Sequence, residues 1–113
     1  MPEGQIIVTG ASKGIGAAIA AELDSRGWEV VCLSRSGAAE VGHGIACDMT
    51  DEAAVEAMFA AAGPFDIVIA NAGASESAPM ARTSLEAFRR MIDANLASAF
   101  LTLREGAKGM AGR

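Results

Sequence analysis

Thr9-Gly10-Ala11-Ser12-Lys13-Gly14-Ile15-Gly16 lies between two patterned segments. Before it, Gln5 to Val8 is a short apolar run that reads as a buried strand. After it, from Gly14 to about Arg26, Ile15, Ile19 and Leu23 recur every four positions. That spacing predicts a helix with one buried stripe, and Gly27 ends it. A glycine-bearing turn from a strand into a helix is suited to hold a phosphate. Gly10 permits the tight turn, Gly14 lets the backbone approach a pyrophosphate, and Gly16 lets the helix pack closely on the sheet. The helix start offers free N–H groups and the positive end of its dipole. An ordinary glycine turn is the plain alternative. A P-loop is excluded by residue order: it needs Gly-Lys-Ser/Thr at the helix start, whereas Lys13 precedes Gly14.

The rest of the chain continues the alternation. Glu29 to Ser34 is a second strand whose residues Val30, Val31, Cys32 and Leu33 are all apolar, as a parallel strand covered on both faces requires. Ser36 to Gly44 is a connection with at most a vestigial helix, and Ile45 to Cys47 form a third strand. Thr50 is placed to cap the next helix, whose core face is Val55, Met58, Phe59 and Ala62. Gly63-Pro64 stops it. Asp66 to Ala70 is a fourth strand, and Asn71 to Arg82 a loop. Thr83-x-x-Glu86 has the form of a capping box. Leu85, Phe88, Ile92, Leu96, Phe100 and Leu103 mark a long helix, interrupted near Asn95 and frayed by Gly106, Gly109 and Gly112. The order β-α-β-β-α-β-α predicts an α/β fold: a Rossmann-type parallel sheet with flanking helices. Residues 1–113 read as a single dinucleotide-binding domain.

The cofactor preference rests on the end of the second strand. An NAD site places an acid there for the ribose 2′-hydroxyl. This strand ends Ser34-Arg35, so no carboxylate repels a 2′-phosphate and a guanidinium can pair with it. Lys13 can add a second positive charge. The reading is NADP(H).

Composition removes other classes. Of the 113 residues, 51% are hydrophobic, enough for one core of modest stability. A net charge of −5 argues against nucleic-acid or anionic-membrane partners. Cys32 and Cys47 form no C-x-x-C pair, and with a single histidine, His43, they cannot complete a zinc site; both read as reduced, buried thiols. Met1 to Gln5 lacks the features of an export signal, and no apolar run reaches the length of about 20 residues that spans a membrane. The expected location is the cytoplasm.

These elements together resemble the short-chain dehydrogenase/reductase family, in forms similar to 3-oxoacyl-carrier-protein reductases. Thr9-Gly10-x-x-x-Gly14-x-Gly16 matches the family's cofactor loop. Asp48 matches the residue that contacts the adenine ring, Asn71-Ala72-Gly73 the element that steadies the sheet beside the cofactor, and Asn95 the asparagine that supports a proton relay. The resemblance implies cofactor contacts at Thr9, Gly10, Ser12, Lys13, Gly14, Ile15, Gly16, Ser34, Arg35, Asp48, Met49, Asn71, Ala72 and Gly73. It implies a carbonyl or alcohol substrate, with an oxo or hydroxy acyl compound the first choice. It also implies a serine and a Tyr-x-x-x-Lys further along. The chain has no tyrosine. Ser75 and Ser77 lie near the expected cleft without a neighbouring base, so Asn95 alone carries over from the catalytic set. The expectation is the cofactor half of the fold, truncated after about four strands and inactive alone. Its fourth strand becomes an edge and its long helix shows an apolar face, so a homo-oligomer is expected. A non-catalytic dinucleotide binder and an inactive truncated product are the alternatives.

Overall fold

The computed structural model describes residues 4–73 and 78–111. Four parallel strands, β1 (Gln5–Thr9), β2 (Glu29–Ser34), β3 (His43–Ala46) and β4 (Ile67–Ile69), form one sheet in the order β3-β2-β1-β4. Helices α1 (Gly14–Ser25) and α2 (Glu52–Ala61) connect them. A long helix follows β4, made of α3 (Leu85–Ile92), a π-helical segment (Asp93–Ala97) and α4 (Ser98–Met110). The Rossmann-type sheet expected from the alternation is present, with the strand order reversing direction between β1 and β4.

The continuous apolar strands have a simple cause. Successive side chains of a strand point to opposite faces, and both faces of this sheet are covered. Ile7 of β1 and Val31 and Leu33 of β2 join Val55, Met58 and Phe59 of α2 and Leu101 of α4 in one core. Ile6, Val8, Val30 and Cys32 enter a second core with Ala20 of α1 on the other face. Register is fixed by pairs such as Ile7↔Val31 and Ile7↔Val68. Both cysteines are buried free thiols, and burial raises the pKa of each.

Several local expectations shift. Ile15 is 73% exposed, so the buried stripe of α1 does not begin there. The helix instead turns Gly16 and Ala20 inward, with Ile19 and Leu23 half-buried beside them. Small residues bring the helix axis close to the sheet. The third strand begins at His43, whose side chain is exposed on the sheet edge, and ends one residue before Cys47. Asp51, not Thr50, caps α2 by accepting the Ala54 amide, because Thr50 is held by Asp48. Ser84, not Thr83, caps α3 through the Ala87 amide; the Thr83 hydroxyl donates to the Pro79 carbonyl.

The last helix does not fray at Gly106 and Gly109. Both are helical and sit where a Cβ would press on Val68 of β4 and on the Phe65 ring, respectively. Phe65 in turn meets Phe59 edge to face, with centroids 5.5 Å apart. Gly112 lies outside the described residues. Arg104 ties α4 to α2, its guanidinium 2.8 Å from the carboxylates of Glu52 and Glu105. Arg104 and then Lys108 hold the buried Glu105 carboxyl below the usual carboxylate range.

Exchange of Gly109 for alanine tests this packing. Alanine gains roughly 1 kcal/mol of helix propensity, but crowding a packed ring costs about 1–3 kcal/mol. Gly109→Ala is expected to lower the urea midpoint. A raised midpoint would mean that Phe65 is free to yield.

Candidate functional site

The carboxyl ends of all four strands open on one cleft of about 600 Å³. The glycine loop forms its floor. Gly10 turns out of β1 with φ +65°, and a Cβ there would stand 2.8 Å from the Ala72 Cα. A Cβ on Gly16 would collide with the Gly10 carbonyl oxygen. The loop, the start of α1 and the end of β4 are therefore packed at backbone contact. The Ala11 amide donates to the Leu33 carbonyl at 3.2 Å, anchoring the loop to β2 as well.

Thr9 locks this arrangement. It is 1% exposed, and its hydroxyl oxygen accepts the amides of both Asn71 and Ala72 at 2.9 Å. The Asn71 side-chain amide donates to the Gly10 carbonyl at 3.3 Å. Thr9 thus does not line the cleft as the resemblance implied; it braces the wall from behind. Gly16 likewise lies beneath the floor, as a packing residue.

The opening of α1 is bare. Lys13 is its N-cap in extended conformation and makes no side-chain cap, and the first turn holds no acidic residue. The amides of its first turn receive no side-chain cap. Gly14 lines the cleft with φ +63°, and a Cβ added there meets no atom within 4 Å. A side chain would stand in open space that a pyrophosphate can occupy, so the residues present fit a dinucleotide. Ser12, Lys13 and Ile15 line the same side.

Ser34, Arg35 and Ser36 form the wall at the end of β2. The Ser34 hydroxyl accepts the Gly37 amide at 3.0 Å, and Ser36 accepts the Ala38 amide at 3.1 Å. These bonds shape the turn that carries the exposed Arg35 side chain. Beside them, with the Cys47 amide donating to the Ser34 carbonyl at 2.8 Å, lie Cys47, Asp48, Met49 and Thr50. The Asp48 carboxylate accepts both the Thr50 hydroxyl, at 2.7 Å, and the Thr50 amide, at 2.9 Å. Those bonds, with the charge of Arg35, hold the Asp48 carboxyl below its usual range, so it stays an anionic acceptor.

At the far end, Asn71, Ala72 and Gly73 meet Ala94 and Ser98 of the long helix. Asn95 stands just behind: a Cβ on Gly73 would strike its Oδ1, and its Nδ2 donates to the Met91 carbonyl at 2.8 Å. Asn95 does not line the cleft among the described residues. Ser75 and Ser77 lie outside the described residues. The sequence reading did not place Ser36, Cys47, Thr50, Ala94 or Ser98 at the cleft. The first three adjoin residues it named. Ala94 and Ser98 follow only once the helix register is known. No cluster of three metal-ligating side chains occurs among the described residues. No helix among them is long and apolar enough to cross a membrane.

The architecture is that of a Rossmann-type α/β protein with its cleft outside the carboxyl ends of the strands, at the point where strand order reverses. The chain belongs to the short chain dehydrogenase family, whose sequence pattern matches residues 5–113. It is 37% identical over 110 residues to the 3-oxoacyl-[acyl-carrier-protein] reductase MabA of Mycobacterium bovis, covering 93% of this chain and 44% of that protein. Against the corresponding reductase FabG of Escherichia coli it is 37% identical over 112 residues, covering 87% and 46%. The chain thus spans under half the length of these curated relatives. The ligand-free aldohexose dehydrogenase of Thermoplasma acidophilum superposes with a TM-score of 0.85 at 33% identity, over 96% of this chain and 44% of that one.

Replacing Thr9 by valine keeps the shape and leaves two amides without an acceptor. The expected cost is at least about 2 kcal/mol, read by urea unfolding. Thr9→Ser, which keeps the oxygen, should recover most of it. A Thr9→Val protein as stable as the parent would show that the brace is dispensable.

Proposed function

We propose that this chain is the cofactor half of an NADP(H)-dependent oxidoreductase that interconverts a carbonyl and an alcohol. The observation that carries the reading is the pairing of an uncapped α1 start with Arg35 at the end of β2. The amides of the first turn would hold the pyrophosphate, and Arg35 and Lys13 the 2′-phosphate. Asp48 and Met49 would border the adenine. Asn71, Ala72 and Gly73 would keep the nicotinamide end in place. The nicotinamide, when bound, supplies or accepts the hydride. Asn95 would support proton delivery by the family's Tyr-x-x-x-Lys element, which lies outside these 113 residues.

The relatives' names favour an oxo or hydroxy acyl substrate, since both MabA and FabG are 3-oxoacyl-[acyl-carrier-protein] reductases. Serine 3-dehydrogenase of Agrobacterium fabrum, 38% identical over 107 residues, marks how widely substrates vary on a similar cofactor half. A cytoplasmic location belongs to the same reading. A dinucleotide binder without turnover is the second reading. Carbonyl-dependent NADPH oxidation separates the two.

Titration with NADPH and NADH, followed by nicotinamide fluorescence, tests the cofactor assignment. Arg35→Ala should weaken NADPH by roughly ten- to hundredfold, the loss of about 1.5–3 kcal/mol in charge-assisted bonds. NADH affinity should stay unchanged. Equal binding of the two cofactors by the parent, or an Arg35→Ala protein with unaltered preference, would refute it.

The reading includes self-association. Leu85, Phe88, Leu96, Phe100 and Leu103 expose more than half of their surface along the long helix, and β4 presents an unpaired edge at Ile67. An apolar stripe of that extent favours a second copy. Sedimentation equilibrium should give more than one chain per particle, and Leu96→Glu with Phe100→Glu should shift it toward one. A monomeric parent protein at micromolar concentration would count against self-association.

A further inference from the structure

The long helix changes its hydrogen-bond pitch where it meets the cleft. In an α-helix the Ser98 amide would donate to the Ala94 carbonyl, four residues back. Here it donates to Asp93, five residues back, closing a π-turn. The Ser98 hydroxyl donates to the Ala94 carbonyl instead, at 2.6 Å. Ser98 thus joins two bonds at the end of the π segment: its amide skips a carbonyl and its side chain takes that carbonyl up. Ser98 is 2% exposed, so water cannot readily substitute for the hydroxyl. Two neighbours make the same kind of side-chain bond. Asn95 donates to Met91 and Thr102 to Ser98, both four residues back at 2.8 Å.

The register matters because of what it aims. Ala94 and Ser98 line the cleft at its β4 end, and Asn95 stands against Gly73. A helix of 3.6 residues per turn converts a one-residue slip into about 100° of rotation. Without the π-turn, α3 and residues 94 and 95 would turn away from the cleft relative to α4. Helix α4 cannot follow, because Leu101, Thr102 and Gly106 are buried and Arg104 is tied to α2.

We propose that Ser98 is a positioning residue: its hydroxyl holds the π-turn that sets Ala94 in the wall at the nicotinamide end of the cleft and Asn95 behind it against Gly73. This rests on the dinucleotide reading above for the ligand, and on hydrogen bonding alone for the register. The role is separate from that of Asn95, since Ser98 acts through the Ala94 carbonyl and takes no part in proton transfer.

Two measurements on the full chain test it. The first reads the register by NMR, as scalar coupling across the hydrogen bond from the Ser98 nitrogen. The parent protein should show coupling to the Asp93 carbonyl carbon. In Ser98→Ala it should move to Ala94, and Ser98→Thr, which keeps a hydroxyl able to bond four residues back, should retain the parent pattern. The second compares NADPH with 2′,5′-ADP, which lacks the nicotinamide. Ser98→Ala should weaken NADPH by roughly five- to tenfold, the worth of about one hydrogen bond, and leave 2′,5′-ADP unchanged. Coupling that stays on Asp93 in Ser98→Ala overturns the proposal. So does an equal loss for both ligands, which would mean general collapse, or no loss for either. If the parent chain binds neither ligand, the dinucleotide reading falls and takes the positioning role with it, while the coupling still decides what sets the register.

Discussion

The cleft depends on the buried hydroxyl of Thr9. The strand that carries the glycine loop and the strand that carries Asn71-Ala72-Gly73 end side by side, and each end would leave amides without partners. A single oxygen at the end of β1 accepts two of them, from Asn71 and Ala72. Sheet hydrogen bonding stops at Ile69. Thr9 continues the link for two residues more, while the chains are already diverging. Gly10 and Gly16 let the backbones come together around that link, since a Cβ on either would overlap the opposing main chain. The floor of the cleft is therefore rigid where it is most crowded and open where Gly14 faces it.

On that floor the chemistry divides by strand. The α1 start and the turn after β2 gather hydrogen-bond donors and positive charge. The segment after β3 gathers an acceptor, Asp48, kept ionised by Thr50 and Arg35. The end of β4 and the long helix supply small, neutral groups. The protein as a whole carries net negative charge, so the positive patch is a local feature, and its field acts over about a Debye length.

The sheet and long helix are less complete than the cleft. β4 pairs on one side only, and the long helix buries Leu101 and Thr102 while leaving Leu96, Phe100 and Leu103 outside. Three polar residues of that helix, Ser98, Thr102 and Glu105, are turned inward with Leu101. Ser98 and Thr102 satisfy their hydroxyls on carbonyls of their own helix, and Glu105 is held by Arg104 and Lys108. Such internal pairing lets a helix bury polar atoms without partners from the sheet. Among the described residues, no buried side-chain nitrogen or oxygen lacks a hydrogen bond.

Much of this was legible in the residues themselves. Continuous apolar runs at β1 and β2 fixed strands covered on both faces, because no alternating pattern could leave one face wet. The glycines at 10, 14 and 16 placed the turn, and Ser34-Arg35 the charge at the end of β2, because both depend on local chain chemistry. Other features were decided by partners distant in sequence. Ile15 has the helical spacing of a core residue, yet the close approach of Gly16 to the Gly10 carbonyl puts it at the cleft mouth. Gly106 and Gly109 look like helix breakers, yet Val68 and Phe65 need their missing side chains. Thr9 reads as a cofactor contact, yet the divergence of β4 claims its oxygen. Ser98 carries no motif at all. Its part emerges only when the helix register shows which carbonyl its amide has passed over. Local sequence sets periodicity and turn geometry; which face is buried, and which polar atom meets which, depends on the surfaces that tertiary packing brings together.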